Sequence, residues 1–104
     1  MDDIEFEWDE NKYLTNQKKH KISFDEAETV FDDINAMIID DPDHSEDEDR
    51  FVLLGFSKEA NLLVVCHCYR DFDTIIRIIS ARKADKKETK QYYNSLGKVD
   101  DYEG

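Results

Sequence analysis

The stretch from Asp73 to Tyr93 constrains the fold more than any other part of the chain. Five of the six residues at 74–79 are β-branched, which favours a strand. Asp85 is suited to cap a following helix, and Glu88, three residues later, completes an acidic form of the capping box. The stretch therefore predicts a strand that leads into a helix over about residues 86–96.

Two arginines and a serine interrupt this apolar strand. Alternation along a regular strand places Arg77 on one face and both Ser80 and Arg82 on the other. One interpretation is that the arginines pair with carboxylates at a solvated sheet edge. The other is an anion site, in which guanidinium groups and a hydroxyl bind a phosphate. Both arginines reach one phosphate only if a bulge, a twist or a strand end intervenes.

The N-terminal part of the chain predicts one short strand and two helices. Apolar residues alternate with glutamates over 4–8, as in a strand with one buried face. Asp9 is a good N-cap for a first helix of about three turns. Ser23 opens a second helix with a full capping box in which Glu26 reaches back, and the aspartates at 32–33 end it.

The later part of the chain predicts strands at 36–39, 51–56 and 62–69, which join the strand at 74–82 in an antiparallel meander. The acidic segment at 40–50 predicts a loop, and residues 98–104 predict a frayed end. The resulting order, β-α-α-β-β-β-β-α, predicts an α+β fold. We expect helices on one face of a small antiparallel sheet, with a C-terminal helix, in a single domain spanning residues 1–104.

The charge distribution limits which partners the chain attracts. The net charge is −12, and the first fifty residues hold 18 Asp and Glu against 5 Lys and Arg. An acidic protein does not attract nucleic acid through its overall field, so phosphate binding has to be local. A strongly basic partner is one explanation of this excess, and solubility is the other.

The cysteines and the hydropathy indicate a cytoplasmic protein without a metal or other cofactor. Cys66 and Cys68 fall on the same face of a strand, where neighbours rarely form a disulfide, and we expect both thiols to be reduced and buried. Together with His67 between them, they indicate a metal site only weakly, because the sequence has no second pair of ligands elsewhere. No apolar run approaches the ~20 residues of a membrane span, and the acidic N-terminus is not a signal peptide.

Several segments together resemble a known family. The first is FEWDENKYLTNQKKHKISFDEAETVF at 6–31, with Trp8, Asp9, Lys12, Asn16, Lys19, His20 and Phe24 in the family's pattern. The others are the acidic loop with His44 and the run 48–50, and the complete signature RIISAR at 77–82. In these motifs the chain closely resembles the BrnT toxins of bacterial type II toxin–antitoxin systems. Asp85 stands where the family usually has Thr, and CHCYRDFDT at 66–74 is less typical.

This resemblance implies a RelE-like fold and a metal-independent endoribonuclease that stops translation. It also implies neutralisation by a BrnA-like antitoxin, which we expect to be basic because this chain is acidic. The toxin–antitoxin complex is then expected to repress its own operon, with operator DNA contacted only through the antitoxin. For the chain itself, the resemblance implies RNA as the substrate.

RNA cleavage without a metal needs a base for the 2′-OH proton, an acid for the leaving 5′-oxygen and cations for the developing charge. An unperturbed imidazole titrates near ~6.5, so His20 is the first candidate for proton transfer, with Glu48 as a possible partner base. The candidate phosphate ligands are Lys19, Arg50, Arg77 and Arg82; Ser80 is a hydrogen-bond donor, and Tyr92 and Tyr93 are candidates for base stacking or acid catalysis.

Each of these residues also has a purely structural explanation. His20 and the lysines beside it complement the dipole at a helix C-terminus, Arg50 can pair with acids of the loop, and the tyrosines can belong to the core. A non-catalytic alternative follows for the whole protein: an antitoxin-binding subunit of an autoregulatory DNA-binding repressor complex. A generic RNA-binding module is a third, weaker interpretation, which the acidic surface opposes.

Overall fold

The computed structural model describes residues 4–40 and 50–97. The elements follow the predicted order: β1 (Glu5–Trp8), α1 (Glu10–His20), α2 (Phe24–Glu28), β2 (Met37–Ile39), β3 (Phe51–Phe56), β4 (Leu62–Arg70), β5 (Ile75–Lys83) and α3 (Lys86–Ser95), with a 3₁₀ helix at Thr29–Asp32 that continues α2. The predictions for the loop at 41–49 and the end at 98–104 lie outside the described residues.

The five strands form one sheet in the order β1-β5-β4-β3-β2. Strands β2 to β5 make the predicted antiparallel meander. Strand β1, however, pairs in parallel with β5, so the prediction of an antiparallel sheet was wrong at this edge. A parallel pair needs a long crossover connection, and here the helices and three strands lie between the two partners.

The helices cover both faces of the sheet, whereas the sequence led us to expect only one covered face. Helices α1 and α2 pack on the first face, whose core includes Leu53 and Val65. Helix α3 packs on the second face, where Tyr92 contacts a cluster that includes Val52 and Val64. We call these the α1–α2 face and the α3 face. The apolar residues of β3 and β4 run without polar interruption, so both sides of these strands are apolar and both faces of the sheet have to be covered.

The three predicted helix caps are found to different extents. Asp9 is the N-cap residue of α1, as predicted, but its side chain makes no capping hydrogen bond. In α3 the capping box is complete: the Asp85 side chain accepts from the Glu88 amide, and the Glu88 carboxylate accepts from the Asp85 amide. In α2 the Ser23 hydroxyl accepts from the Glu26 amide at 3.0 Å. The Glu26 carboxylate instead accepts from the Ser57 hydroxyl at 2.6 Å, so it ties α2 to the β3–β4 turn.

Candidate active site

Strand β5 contains one residue more than the stretch of β4 that it pairs with. Cys66 lies opposite Ser80, but the next residue of β4, His67, lies opposite Ile78. Ile79 is therefore the extra residue of a β-bulge. Such a residue shifts the alternation of side chains, so that the two ends of the strand no longer follow one regular pattern.

This bulge brings Arg77, Ser80 and Arg82 onto the α3 face of the sheet. Arg82 lies opposite Val64, which belongs to the core under α3. Arg77 lies opposite Cys68, which is four residues further along β4 and hence on the same face. A regular strand would have separated the two arginines. The sequence analysis required a bulge, a twist or a strand end for both arginines to reach one phosphate, and the structure contains a bulge between them.

Helix α1 lies against β5 just beyond the end of β1. Strand β1 stops opposite Ile78, and further along β5 the Asn16 side chain replaces it as a partner. The Asn16 amide oxygen accepts from the Ala81 amide at 3.0 Å, and its nitrogen donates to the Ala81 carbonyl at 2.9 Å. The same nitrogen lies 3.2 Å from the Ile22 carbonyl. Asn16, which is only 5% exposed, therefore fixes the middle of α1 against β5.

A cleft of about 480 Å³ opens between α1 and the bulge. Three predicted site residues line it: Lys19, His20 and Ser80. The cleft is also lined by Asp9, Asn11, Lys12, Thr15, Asn16 and Ile79. None of these additional residues was among the predicted site residues. Their signal was present in the helical spacing, since positions 12, 16 and 19 recur at intervals of four and three residues.

His20 is the last residue of α1 and is half-buried at this cleft. Burial lowers the pKa of its imidazole, and the positive charges of Lys19 and Arg82 lower it further. All three causes favour the neutral ring. A neutral imidazole at physiological pH is able to accept a proton, which is what a general base has to do.

Arg82 lies beside the cleft and is joined to the start of α3. Its two terminal nitrogens donate to the two carboxylate oxygens of Glu88, at 2.9 and 2.8 Å. The hydrogen bonds from Arg82 are the main cause of the lowered pKa of Glu88, although burial opposes them. The ion pair fixes the guanidinium at the end of the α3 face that faces His20.

Arg77 is outside the lining of the cleft and pairs with β1. Its Nε donates to Glu7 Oε2 at 2.8 Å, across the parallel register of the two strands. The hydrogen bond to Glu7 raises the pKa of Arg77, and the charge of Asp9, which lines the cleft, adds to this effect. Neither Arg77 nor Arg82 lines the cleft itself, but the charge of each acts on a residue of the lining: Arg77 interacts with Asp9, and Arg82 with His20.

The two predicted tyrosines belong to α3, where they pack towards the sheet, and neither lines the cleft. Tyr92 is 3% exposed, and its hydroxyl donates to Asp33 Oδ2 at 2.7 Å. Tyr93 is half-buried and packs against Tyr92 and Phe56. Burial first, and then the Asp33 carboxylate, raises the pKa of Tyr92. These contacts give Tyr92 a packing role.

Arg50 is half-buried just before β3 and is not among the residues that line the cleft. Glu48 lies outside the described residues. Cys66 and Cys68 are not joined in a disulfide, as predicted, but both are half-buried, so the prediction that they are buried was wrong. Within residues 4–40 and 50–97, no three His, Cys, Asp or Glu side chains are grouped so that they could share a metal ion. No helix in the same residues is long and apolar enough to cross a bilayer.

The fold resembles that of a solved structure, the Brucella abortus ribonuclease toxin BrnT. The match has a TM-score of 0.62 at 22% sequence identity and covers 80% of this chain and 99% of that one. A search of curated proteins gives no significant match. The family model described as "Ribonuclease toxin, BrnT, of type II toxin-antitoxin system" matches residues 8–88, which include the cleft and both flanking arginines. The chain therefore belongs to the BrnT family of ribonuclease toxins.

Proposed function

We propose that this ribonuclease toxin cleaves RNA at the cleft between α1 and β5, without a metal ion, and thereby stops translation. The observation that carries the proposal is the bulge at Ile79. It turns Arg77, Ser80 and Arg82 to one face of the sheet, beside the cleft that His20 and Lys19 line. His20, the Ser80 hydroxyl and the ammonium groups of Lys12 and Lys19 line this one opening, which supports the proposal.

In the proposed reaction, His20 takes the proton of the ribose 2′-OH as the oxygen attacks the adjacent phosphorus. The bond from phosphorus to the 5′-oxygen breaks, and the leaving oxygen takes a proton from a water molecule. The products are a 2′,3′-cyclic phosphate and a 5′-hydroxyl end. Lys19 and Arg82, the two cations that act on His20, face the charge that develops on the phosphate oxygens. Ser80 donates a hydrogen bond to the same group from the floor of the cleft.

The remaining predicted residues have less support from the geometry. Arg77 is proposed to bind a phosphate next to the cleaved one, because it lies further along the same face. Arg50 precedes β3 and remains a candidate for a more distant phosphate, and Glu48 remains a candidate base partner from the sequence alone. Tyr93, which is half-buried, is the tyrosine with surface left for stacking.

We further propose that the partner of this toxin is a basic, BrnA-like antitoxin in the cytoplasm. The family implies an antitoxin, and the net charge of −12 supports a basic one by electrostatic complementarity. In such a complex the basic antitoxin makes the contacts with operator DNA, because the acidic toxin is repelled by the DNA phosphates. Repression of the operon by the complex is then a function of the antitoxin.

Induction of the chain alone in bacteria tests the proposal. Growth and total mRNA are followed beside an Arg77→Ala, Arg82→Ala double variant and beside Lys58→Ala. Lys58 is an exposed cation paired with Asp32 and is not part of the cleft lining, so it controls for the loss of positive charge. We expect wild type and Lys58→Ala to slow growth and deplete mRNA, and the double variant to do neither.

Two results would contradict parts of this proposal. If the wild type accumulates as folded protein yet neither slows growth nor depletes mRNA, the ribonuclease function fails and the non-catalytic, antitoxin-binding alternative gains support. If wild type and double variant are equally toxic, the assignment of the two arginines fails while the activity stands.

A further inference from the structure

Arg70 and Arg77 meet at a single carboxylate oxygen. Arg77 Nε lies 2.8 Å from Glu7 Oε2, and Arg70 Nε lies 3.5 Å from the same atom. The strand registers explain this convergence: Glu7 lies beside Arg77, and Arg70 lies opposite Ile75, two residues before Arg77. All three charged side chains therefore project from the α3 face of neighbouring strands.

Two guanidinium groups share one negative charge at this point, so the cluster keeps an excess of positive charge. It is also open to solvent, since the Glu7, Arg77 and Arg70 side chains are 36%, 35% and 55% exposed. Exposed ion pairs contribute little, about 0–1 kcal/mol each, because water and salt screen them. An anion from solution can therefore take the place of Glu7 without a large loss of stability.

The position of this cluster relates it to the cleft. A strand rises about 3.3 Å per residue, which puts Arg77 roughly 10 Å from Ser80 on the same face. The hairpin tip beyond Arg70 carries Asp71 and Asp73, both exposed, so the positive surface ends at Arg70. On a chain of net charge −12, Arg70, Arg77 and Arg82 thus place three cations along one sheet face, with Glu7 and Glu88 as their ion-pair partners.

We propose that Arg70 and Arg77 form a second phosphate subsite for the RNA strand, and that Glu7 competes with RNA for it. The subsite takes a phosphodiester of single-stranded RNA that neighbours the one cleaved at His20. The Glu7 carboxylate occupies the position of that phosphate and leaves it when RNA binds. Arg70 was not singled out by the sequence, and its role rests on the proposed function of the cleft.

RNA binding by the full chain tests the subsite. A His20→Ala background prevents cleavage, and a fluorescein-labelled single-stranded RNA is titrated by anisotropy over a series of salt concentrations. Four further changes are compared in that background: Arg70→Gln, Glu7→Gln, Glu5→Gln and Lys58→Gln. Glu5 is an exposed acid on the same strand and the same face as Glu7, so it controls for the change in net charge. Circular dichroism confirms that each variant is folded.

We expect Arg70→Gln to weaken RNA binding about tenfold and to reduce the slope of log affinity against log salt by about 0.7, as for one lost phosphate contact on a single strand. Glu7→Gln is expected to tighten binding about threefold, and to have no such effect when combined with Arg70→Gln. Glu5→Gln and Lys58→Gln are expected to change the affinity by less than about twofold, as for charges outside the subsite.

Two results overturn the subsite alone: an Arg70→Gln variant with the affinity and salt slope of its parent, or equal tightening by Glu7→Gln and Glu5→Gln. In both cases, RNA cleavage by the wild type would still support the proposed function of the cleft. If the wild-type chain neither binds nor cleaves RNA, the proposed function fails, and the subsite fails with it.

Discussion

Arg82 and Glu88 form a two-point ion pair that joins β5 to the first turn of α3, with nitrogen–oxygen distances of 2.9 and 2.8 Å. The Glu88 side chain is only 9% exposed, and the same carboxylate also accepts from the Asp85 amide. One acidic residue thus caps a helix and orients an arginine beside the candidate base. Stability and the position of the cation are linked through it.

The first prediction is that Glu88→Gln destabilises the fold. The change removes the charge that receives two hydrogen bonds from Arg82 and one from the helix cap, and hydrogen bonds to charged groups contribute about 1.5–3 kcal/mol. With partial exposure of Arg82 taken into account, we expect a loss of about 1–2 kcal/mol in the free energy of unfolding. Urea denaturation at pH 7 measures it, with the exposed Glu59→Gln as control. Equal midpoints for the two variants would refute the structural role of the pair.

The second prediction concerns the buried histidine of β4. His67 is fully buried, and its Nδ1 lies 3.2 Å from the Val65 carbonyl. Burial lowers the pKa of His67, although that hydrogen bond opposes the effect. The unfolded chain therefore binds a proton below about pH 6.5 that the folded chain does not yet bind, and folding stability falls as the pH drops below that value.

Denaturation midpoints between pH 7.5 and 5.5 measure this loss, which amounts to at most about 1.4 kcal/mol per pH unit for one group. A His67→Phe variant is expected to flatten the dependence, because the ring fits among the neighbouring aromatic residues Phe31 and Phe51. His20→Asn controls for the second described histidine, whose pKa is also lowered but which is only half-buried. An unchanged slope in His67→Phe would show that other groups cause it.

The third prediction tests the close approach of β3 to the 3₁₀ helix at Thr29–Asp32. A Cβ atom added at Gly55 would lie 2.8 Å from the Ala36 Cβ and 3.0 Å from the Val30 Cγ1. Gly55→Ala is therefore expected to destabilise the protein by about 1–3 kcal/mol through overpacking. The double variant Ala36→Gly, Gly55→Ala removes the shorter contact and is expected to recover part of the loss. Urea denaturation measures the stability of the single and the double variant. If Gly55→Ala acts through something other than overpacking, the added Ala36→Gly change would recover none of the loss.

The fourth prediction is a pH profile for RNA cleavage. If neutral His20 is the base, kcat/KM falls on the acid side with an apparent pKa below the ordinary histidine value, because burial, Lys19 and Arg82 lower that pKa. Removal of a cation weakens this effect, so Arg82→Gln is expected to move the acid limb to higher pH. Lys58→Gln, a change outside the cleft, is expected to leave the acid limb at the same pH as in the wild type. An acid limb that is the same in all three proteins would exclude this coupling.

Most helices and strands could be predicted from residues that are close in the sequence. The pairing of strands that are distant in the sequence could not. The capping box of Asp85 and Glu88 lies within four residues, and it appears in the structure as predicted. The parallel pairing of β1 with β5 joins residues about 70 positions apart, as in the bond from Arg77 to Glu7, and alternation in β1 carries no information on its partner.

The candidate site shows the same division. Residues His20, Lys19 and Ser80 were selected by type and by family resemblance, and they line one cleft. The bulge at Ile79 was not predictable, because it lies in an isoleucine run without the glycine that often marks a bulge. Asn16 was noted as part of the family's pattern, but its bonds to the Ala81 backbone depend on where β1 ends.

The most direct test of the central claim is the rate of RNA cleavage by purified wild type and His20→Ala, with circular dichroism spectra and unfolding midpoints recorded for both. A general base contributes about 10²–10⁴-fold to a rate. We therefore predict that kcat of His20→Ala falls at least about a hundredfold while the protein keeps its fold. A folded His20→Ala protein that cleaves RNA at the wild-type rate would contradict the claim that His20 at the cleft between α1 and β5 takes the proton.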